Sequence, residues 1–207
     1  MIEYVIAENP DDRVLDKACE LLREGSLVAI PTDTNWVVVA DPFKKQGVSN
    51  IYRFKKIDKL KHLSLLCENF SKASEVAVIS DSVFRVLKKC IPGHYTFIFE
   101  ATKKIVRAVQ ANKTDHNVGV RFVPSLLVER LLARYGDSLI STNLDRAQMG
   151  ITEDEPIYSY MIEEKYAGEI SMIIDPGEYD FVGKSTIIDY TDDFPEVIRE
   201  GAGKFPV

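Results

Sequence analysis

Apolar positions along this chain recur with two periods, and the switches between them lay out its elements. Short alternating or continuous apolar runs bounded by turn residues read as strands; spacings of three and four read as helices. Residues 2–7 read as a strand. Asn9-Pro10-Asp11-Asp12 opens a helix, with Asn9 capping, Pro10 at the first helical position and acids facing the positive end. Its stripe is Val14, Leu15, Ala18, Leu21 and Leu22, and Gly25 stops it. Two apolar runs, 27–30 and 36–40, flank Pro31-Thr32-Asp33-Thr34. Residues 43–56 read as a second helix and 63–67 as a strand. Ser80 or Asp81 caps a helix through Cys90, ended by Pro92-Gly93. Residues 95–100 and 117–122 alternate as strands, with a helical 104–110 between them. Ser125 caps a helix through Tyr135, and Gly136 closes it. A strand at 139–141, a helix at 153–166 and strands at 170–175, 186–189 and 197–199 complete the reading.

Strands and helices alternate early and hairpin-like pieces follow. The pattern predicts an α/β chain forming one domain over residues 1–207, a twisted mixed open sheet with flanking helices. The stretch 145–156, charged and carrying Gly150, is the candidate mobile loop or lid. A length of 207 residues suffices to bury about 70% of the unfolded surface. The net charge of -6 argues against a generally basic nucleic-acid coat protein, yet leaves room for a local basic site. Cys19, Cys67 and Cys90 lie far apart in apolar company, as buried thiols of a reducing cytoplasm do. None stands in a metal-ligand spacing with a histidine, so no metal site is expected. The first residues lack a signal-peptide pattern, and no apolar run reaches the ~18 residues of a membrane span. A cytoplasmic protein without a membrane partner is the expectation.

Four stretches could carry chemistry. Pro31-Thr32-Asp33-Thr34 is either an ordinary turn or a polar sheet edge of the kind where open α/β folds bind ligands. Arg53, Lys55, Lys56, Lys59 and Lys61 fall within nine positions, with Asp58 the only acid among them. On a helix Tyr52 and Lys55 share a face, which Lys59 continues if the helix does. The segment is either a solvated charged face or a positive cluster for phosphates. Ser141-Thr142-Asn143-Leu144-Asp145 ends a strand in groups that can hydrogen-bond phosphate or ribose, or else satisfy the local backbone. Arg121, inside an alternating strand, must face water or an anion. Trp36 reads as core rather than as a base-stacking surface. His62, His94 and His116 show no catalytic pairing by spacing, and no P-loop, dinucleotide fingerprint or nucleophile triad is present.

Taken in order, these stretches resemble the YrdC/YciO family. The match adds Pro92-Gly93-His94-Tyr95-Thr96-Phe97, Gly119-Val120-Arg121-Phe122-Val123-Pro124, Ser185-Thr186-Ile187-Ile188-Asp189 and Ile198-Arg199-Glu200-Gly201, and runs from about Leu15 to Gly201. The wording PGHYTF, LSLLC and IREGAG is most similar to the YciO branch. The resemblance implies an open α/β fold with a concave central cavity and synthesis of threonylcarbamoyl-adenylate. In that reaction L-threonine and bicarbonate form a carbamate whose oxygen attacks the α-phosphate of ATP, with Mg2+ accompanying the ATP. Pyrophosphate leaves, no protein side chain acts as nucleophile, and the product serves tRNA threonylcarbamoylation. Carried onto this chain, the family pattern gives Thr32, Thr34, Lys55, Ser141 and Thr142 to substrate. With them, Lys55, Lys59, Arg121, Ser141, Asn143 and Arg199 are the candidates for nucleotide, and Arg53, Lys56, Lys59 and Lys61, the charge cluster standing out against an acidic chain, are the candidates for the RNA backbone.

The chain departs from the family pattern in three places. Ile57 occupies the arginine position of a Lys-x-Arg pair. Asn143 and Asp145 replace the second serine and the asparagine of Ser-x-Ser-Ala-Asn, and Asp145 would repel a triphosphate without an intervening magnesium ion. Val37 and Val39 stand at glycine positions and predict a narrower pocket floor. These departures keep open an alternative class: a non-catalytic YciO-like module for nucleotide or double-stranded RNA.

Overall fold

Capping chemistry fixes where the helices begin, and the first one starts later than its sequence suggests. Asp11, not Asn9, is the N-cap of α1 (Asp12–Glu24): its carboxylate accepts from the Arg13 backbone N–H and also pairs with the Arg13 guanidinium. One carboxylate satisfied twice by the same residue outweighs the amide two positions earlier. Gly25 ends α1 at φ 91°, and a Cβ there would meet Gln46 Cβ at 2.9 Å, so glycine also allows the following helix to approach. The structure, a computed structural model, describes residues 1–56, 63–105, 116–152, 155–192 and 194–204.

The chain runs β1 (Ile2–Tyr4), α1, β2 (Val28–Pro31), β3 (Trp36–Ala40), α2 (Lys45–Lys55), β4 (Ser64–Leu66), α3 (Phe70–Val76) and α4 (Asp81–Leu87). It continues through β5 (Tyr95–Glu100), β6 (Asn117–Arg121), α5 (Leu126–Tyr135), β7 (Leu139–Asn143), α6 (Arg146–Met149) and α7 (Ser159–Lys165). Strands β8 (Met172–Asp175), β9 (Thr186–Asp189) and β10 (Glu196–Arg199) follow. Helix α3 was not expected; Asn69 caps it by accepting from the Lys72 N–H. The predicted helix 153–166 is shortened to α7, with residues 153 and 154 outside the described set. Of the predicted helix 104–110, residues 106–110 lie outside it too. The expected loop at 145–156 contains the short helix α6.

The strands form one mixed ten-stranded sheet in the order β1-β8-β2-β3-β7-β4-β6-β5-β9-β10. Its pleat sorts side chains onto two faces. On one face Ala29, Trp36, Val38, Leu65 and Val120 pack with Ile51 and Phe54 of α2, Ala73 of α3, Leu87 of α4 and Ile162 of α7. On the other, Val28, Ile30, Val37 and Val39 pack with Leu15, Ala18 and Leu22 of α1 and Leu127 and Leu131 of α5. Each such large apolar side chain contributes roughly 1.5–3 kcal/mol by burial. Val37 and Val39 are therefore core beneath two helices and not a pocket floor, which corrects the sequence expectation. The α/β class and the mixed open sheet with helices on both faces stand as predicted.

Candidate functional site

Beyond the apolar patch under α1 and α5, the same sheet face turns polar. Ser141 pairs in register with Val39 on one side and Ser64 on the other, and Ser64 pairs with Gly119. A Cβ on Gly119 would lie 3.0 Å from Ser64 Oγ and 3.4 Å from Thr96 Cγ2. Ser141, Ser64, Gly119 and Thr96 thus form a band of small groups across β7, β4, β6 and β5. Ser141 Oγ donates to the Ser64 carbonyl at 3.1 Å, and Thr96 and Ser185 share a hydroxyl contact of 2.9 Å. Arg199 closes this end, donating to the Ser185 carbonyl from Nη2 at 2.7 Å and Nε at 3.1 Å.

A buried ionic group stands at the carboxyl end of β6. The Asp33 carboxylate, 3% exposed, accepts from Arg121 Nη2 at 2.7 Å and meets His94 Nδ1 at 2.8 Å. The Val182 N–H holds the Asp33 carbonyl at 2.9 Å. Burial pushes the Arg121 guanidinium pKa down, the Asp33 carboxylate works against that, and the Arg199 charge adds to it. Arg121 Nε has no hydrogen-bond partner. The anion that an arginine in this strand requires is therefore Asp33, from 88 residues away.

Around the carboxyl end of β7 the predicted substrate residues divide. Thr32 Oγ1 donates to the Asn35 carbonyl at 2.8 Å and lies 3.4 Å from Thr34 Oγ1, so turn and polar edge are the same object. Asn35 Nδ2 reaches the Leu144 carbonyl at 2.9 Å. Lys55 Nζ donates to the Asn143 carbonyl at 3.0 Å, so Lys55 and the Thr32–Asn35 turn both grip the exit of β7. Thr142, however, pairs with Val38 and points to the face opposite Ser141. Alternation along the strand separates two residues that the sequence placed in one site. Trp36 is fully buried and donates to the Ile157 carbonyl at 2.9 Å, as core. Asp145 caps α6, accepting from the Ala147 N–H at 2.9 Å and the Gln148 N–H at 3.4 Å, so its charge faces a helix start.

Within the described part of the basic segment, Arg53 and Lys55 do not share one surface. Arg53 bonds Asn50 Oδ1 at 2.8 Å and lines a small crevice with Ser26, Gly168 and Glu169, away from the Lys55–Asn143 contact. Two positions on a helix are ~200° apart, so Arg53 and Lys55 diverge. Lys56 ends α2 at φ 51°. Ile57, Lys59 and Lys61 lie outside the described residues. Asp33, His94, Thr96 and Ser185 lie in stretches the sequence singles out, but neither they nor Ser64 receive a ligand from the sequence, and all five belong to the site group. Ser64 had a signal, a hydroxyl in an apolar run; the Asp33–His94 pair, 61 residues apart, had none in its spacing. Among the described residues no group of three or more His, Cys, Asp or Glu could hold a metal ion, and no helix is long and apolar enough to cross a membrane.

Known proteins share this fold. The uncharacterized protein YciO of Escherichia coli strain K12 is 29% identical over 202 residues, covering 97% of this chain and 95% of its own. The crystal structure of E. coli YciO superposes with a TM-score of 0.86 at 28% identity, covering 99% of this chain and 97% of that one. A threonylcarbamoyl-AMP synthase of Pyrococcus abyssi is 25% identical over 192 residues, 89% of this chain and 53% of its own length. P. abyssi Sua5 complexed with L-threonine shares the fold, with a TM-score of 0.83 at 24% identity over 97% of this chain and 57% of that one. The Sua5/YciO/YrdC family model, described as telomere recombination, matches residues 20–201, and the chain belongs to that family.

Proposed function

We propose that this chain binds L-threonine and magnesium-bound ATP along the polar band and the Lys55–Asn143 corner, and joins threonine, bicarbonate and ATP into threonylcarbamoyl-adenylate. The observation that carries this reading is the band in which Ser141, Ser64 and Gly119 pair in register and Thr96 lies against Gly119 on the same sheet face. The Ser141 and Thr96 hydroxyls are satisfied within the protein, and the small side chains of the band leave room for a ligand. Lys55 and Arg199 stand at two ends of the band's surroundings, a lysine point charge suited to phosphate and a guanidinium suited to forked contacts. The carbamate oxygen attacks the α-phosphate and pyrophosphate leaves, so the protein needs alignment and cations more than a nucleophile. The name of the P. abyssi relative and the threonine in the Sua5 complex support the same ligand class. Purified protein incubated with ATP, magnesium, bicarbonate and L-threonine is expected to release pyrophosphate and yield the adenylate by mass spectrometry. Threonine-independent or absent pyrophosphate release would overturn the catalytic claim.

Two observations favour a second reading, a non-catalytic module for nucleotide or double-stranded RNA. Ile57 stands where the family carries arginine, and the Arg121 charge is already met by Asp33. Under that reading ATP binds without turnover, and RNA binds through Lys56, Lys59 and Lys61 with affinity that falls steeply as salt rises. Lys56→Glu with Lys59→Glu abolishes RNA binding if it holds; unchanged binding rejects it.

A further inference from the structure

A second crevice lies where the sheet's connections diverge. Strands β4 and β6 are parallel neighbours, with Leu66 beside Arg121 at their carboxyl ends. After β4 the chain passes into α3, which packs on the Trp36 face of the sheet; after β6 it passes into α5, which packs on the Val37 face. Adjacent parallel strands whose connections leave to opposite faces open a gap beyond their carboxyl ends, the position where open α/β sheets bind ligands. Here that gap has a volume of about 350 Å³ and is lined by residues that directly follow both strands. Such a volume lies within the range of small-molecule sites.

Its chemistry is specific. Phe70, Ile91, Phe122, Val128 and Leu132 supply apolar walls, and the Phe70 and Phe122 rings stand 5.2 Å apart between centroids. Glu68, Lys88 and Glu129 also line it, the last two exposed. Among the described residues none of these three charges is in an ion pair. Apolar walls beside unpaired charges of both signs fit a zwitterion with a large apolar side chain.

We propose that the crevice between α3, α4 and α5 is a binding site for a free amino acid with an aromatic or branched apolar side chain, separate from the polar band. The side chain lies against Phe70 and Phe122, the α-ammonium faces Glu68 and Glu129, and the α-carboxylate faces Lys88. Threonine, small and hydroxylated, leaves such walls unfilled, so the two sites select different amino acids.

The test is calorimetric titration of the full chain with L-phenylalanine, phenethylamine and hydrocinnamate, the last two lacking the carboxylate and the ammonium. L-Phenylalanine is expected to saturate in the millimolar range or tighter. Lys88→Glu, an exposed position, is expected to weaken L-phenylalanine and hydrocinnamate about tenfold and to leave phenethylamine no weaker. Glu129→Lys is expected to weaken phenethylamine instead. L-Threonine is expected not to displace L-phenylalanine. Failure of L-phenylalanine to saturate, binding indifferent to both variants, or displacement by threonine would each overturn the proposal. None of these outcomes depends on adenylate synthesis, so the two readings fail separately.

Discussion

Replacing Asp33 by alanine removes the only anion that the Arg121 guanidinium meets among the described residues. The two side chains are 3% and 6% exposed, so solvent cannot take over the contact without opening the fold. Arg121 already carries one unpartnered N–H, and the Arg199 charge opposes it from nearby. Deleting one partner of a buried ion pair leaves a desolvated charge and costs about 3–5 kcal/mol. That is a large share of the ~5–15 kcal/mol by which folded proteins are stable. With a urea dependence of about 2 kcal/mol per molar, the midpoint should fall by roughly 2 M at unchanged slope. Adding Arg121→Met to Asp33→Ala should recover much of the loss, since a methionine can occupy the space without a charge. An Asp33→Ala variant within about 0.5 kcal/mol of the parent, the size of an ordinary surface change, would refute the reasoning.

Burial pushes the Cys67 thiol up to about 12, so its protonated form contributes stability below the ordinary thiol range of about 8.5. That contribution is lost as pH rises toward 12; unfolding midpoints of the parent and Cys67→Ala should diverge below this window and converge through it. Iodoacetamide at mildly alkaline pH should label Cys90 before Cys19 and Cys67, as peptide mapping would show, because only Cys90 is part-exposed. Gly119→Val places a branched side chain against Ser64 and Thr96, and is expected to abolish ATP and threonine binding by calorimetry while the chain still folds by circular dichroism. Lys55→Ala is expected to slow adenylate formation by roughly 100- to 1000-fold, the scale of one electrostatic transition-state contact, with the thermal midpoint little changed.

Local chemistry made most of the fold legible. The stripes of α1 and α5, their closing glycines and the alternation in β5 and β6 read directly, because each element's pattern is wholly its own. Helix α3 escaped because seven residues with only Ala73 and Val76 fully buried make no readable stripe. In the site, Thr32, Lys55, Ser141 and Asn143 were named from motif and lie around one strand, β7. Thr142 was misplaced because listing neighbours in a motif ignores the pleat that sends them to opposite faces. The Asp33–His94–Arg121 group was hidden for a different reason. Its members meet only because the turn after β2 reaches the ends of β5 and β6, a tertiary event with no sequence period.

The polar band across β7, β4, β6 and β5 is the proposed seat of the ligand. Backbone amide shifts in a heteronuclear NMR titration with L-threonine and magnesium-bound ATP test it most directly. The largest changes are expected on Ser64, Thr96, Gly119, Ser141 and Asn143, with Lys55 among them. Saturating changes confined to other faces of the sheet, with those amides still, would contradict it.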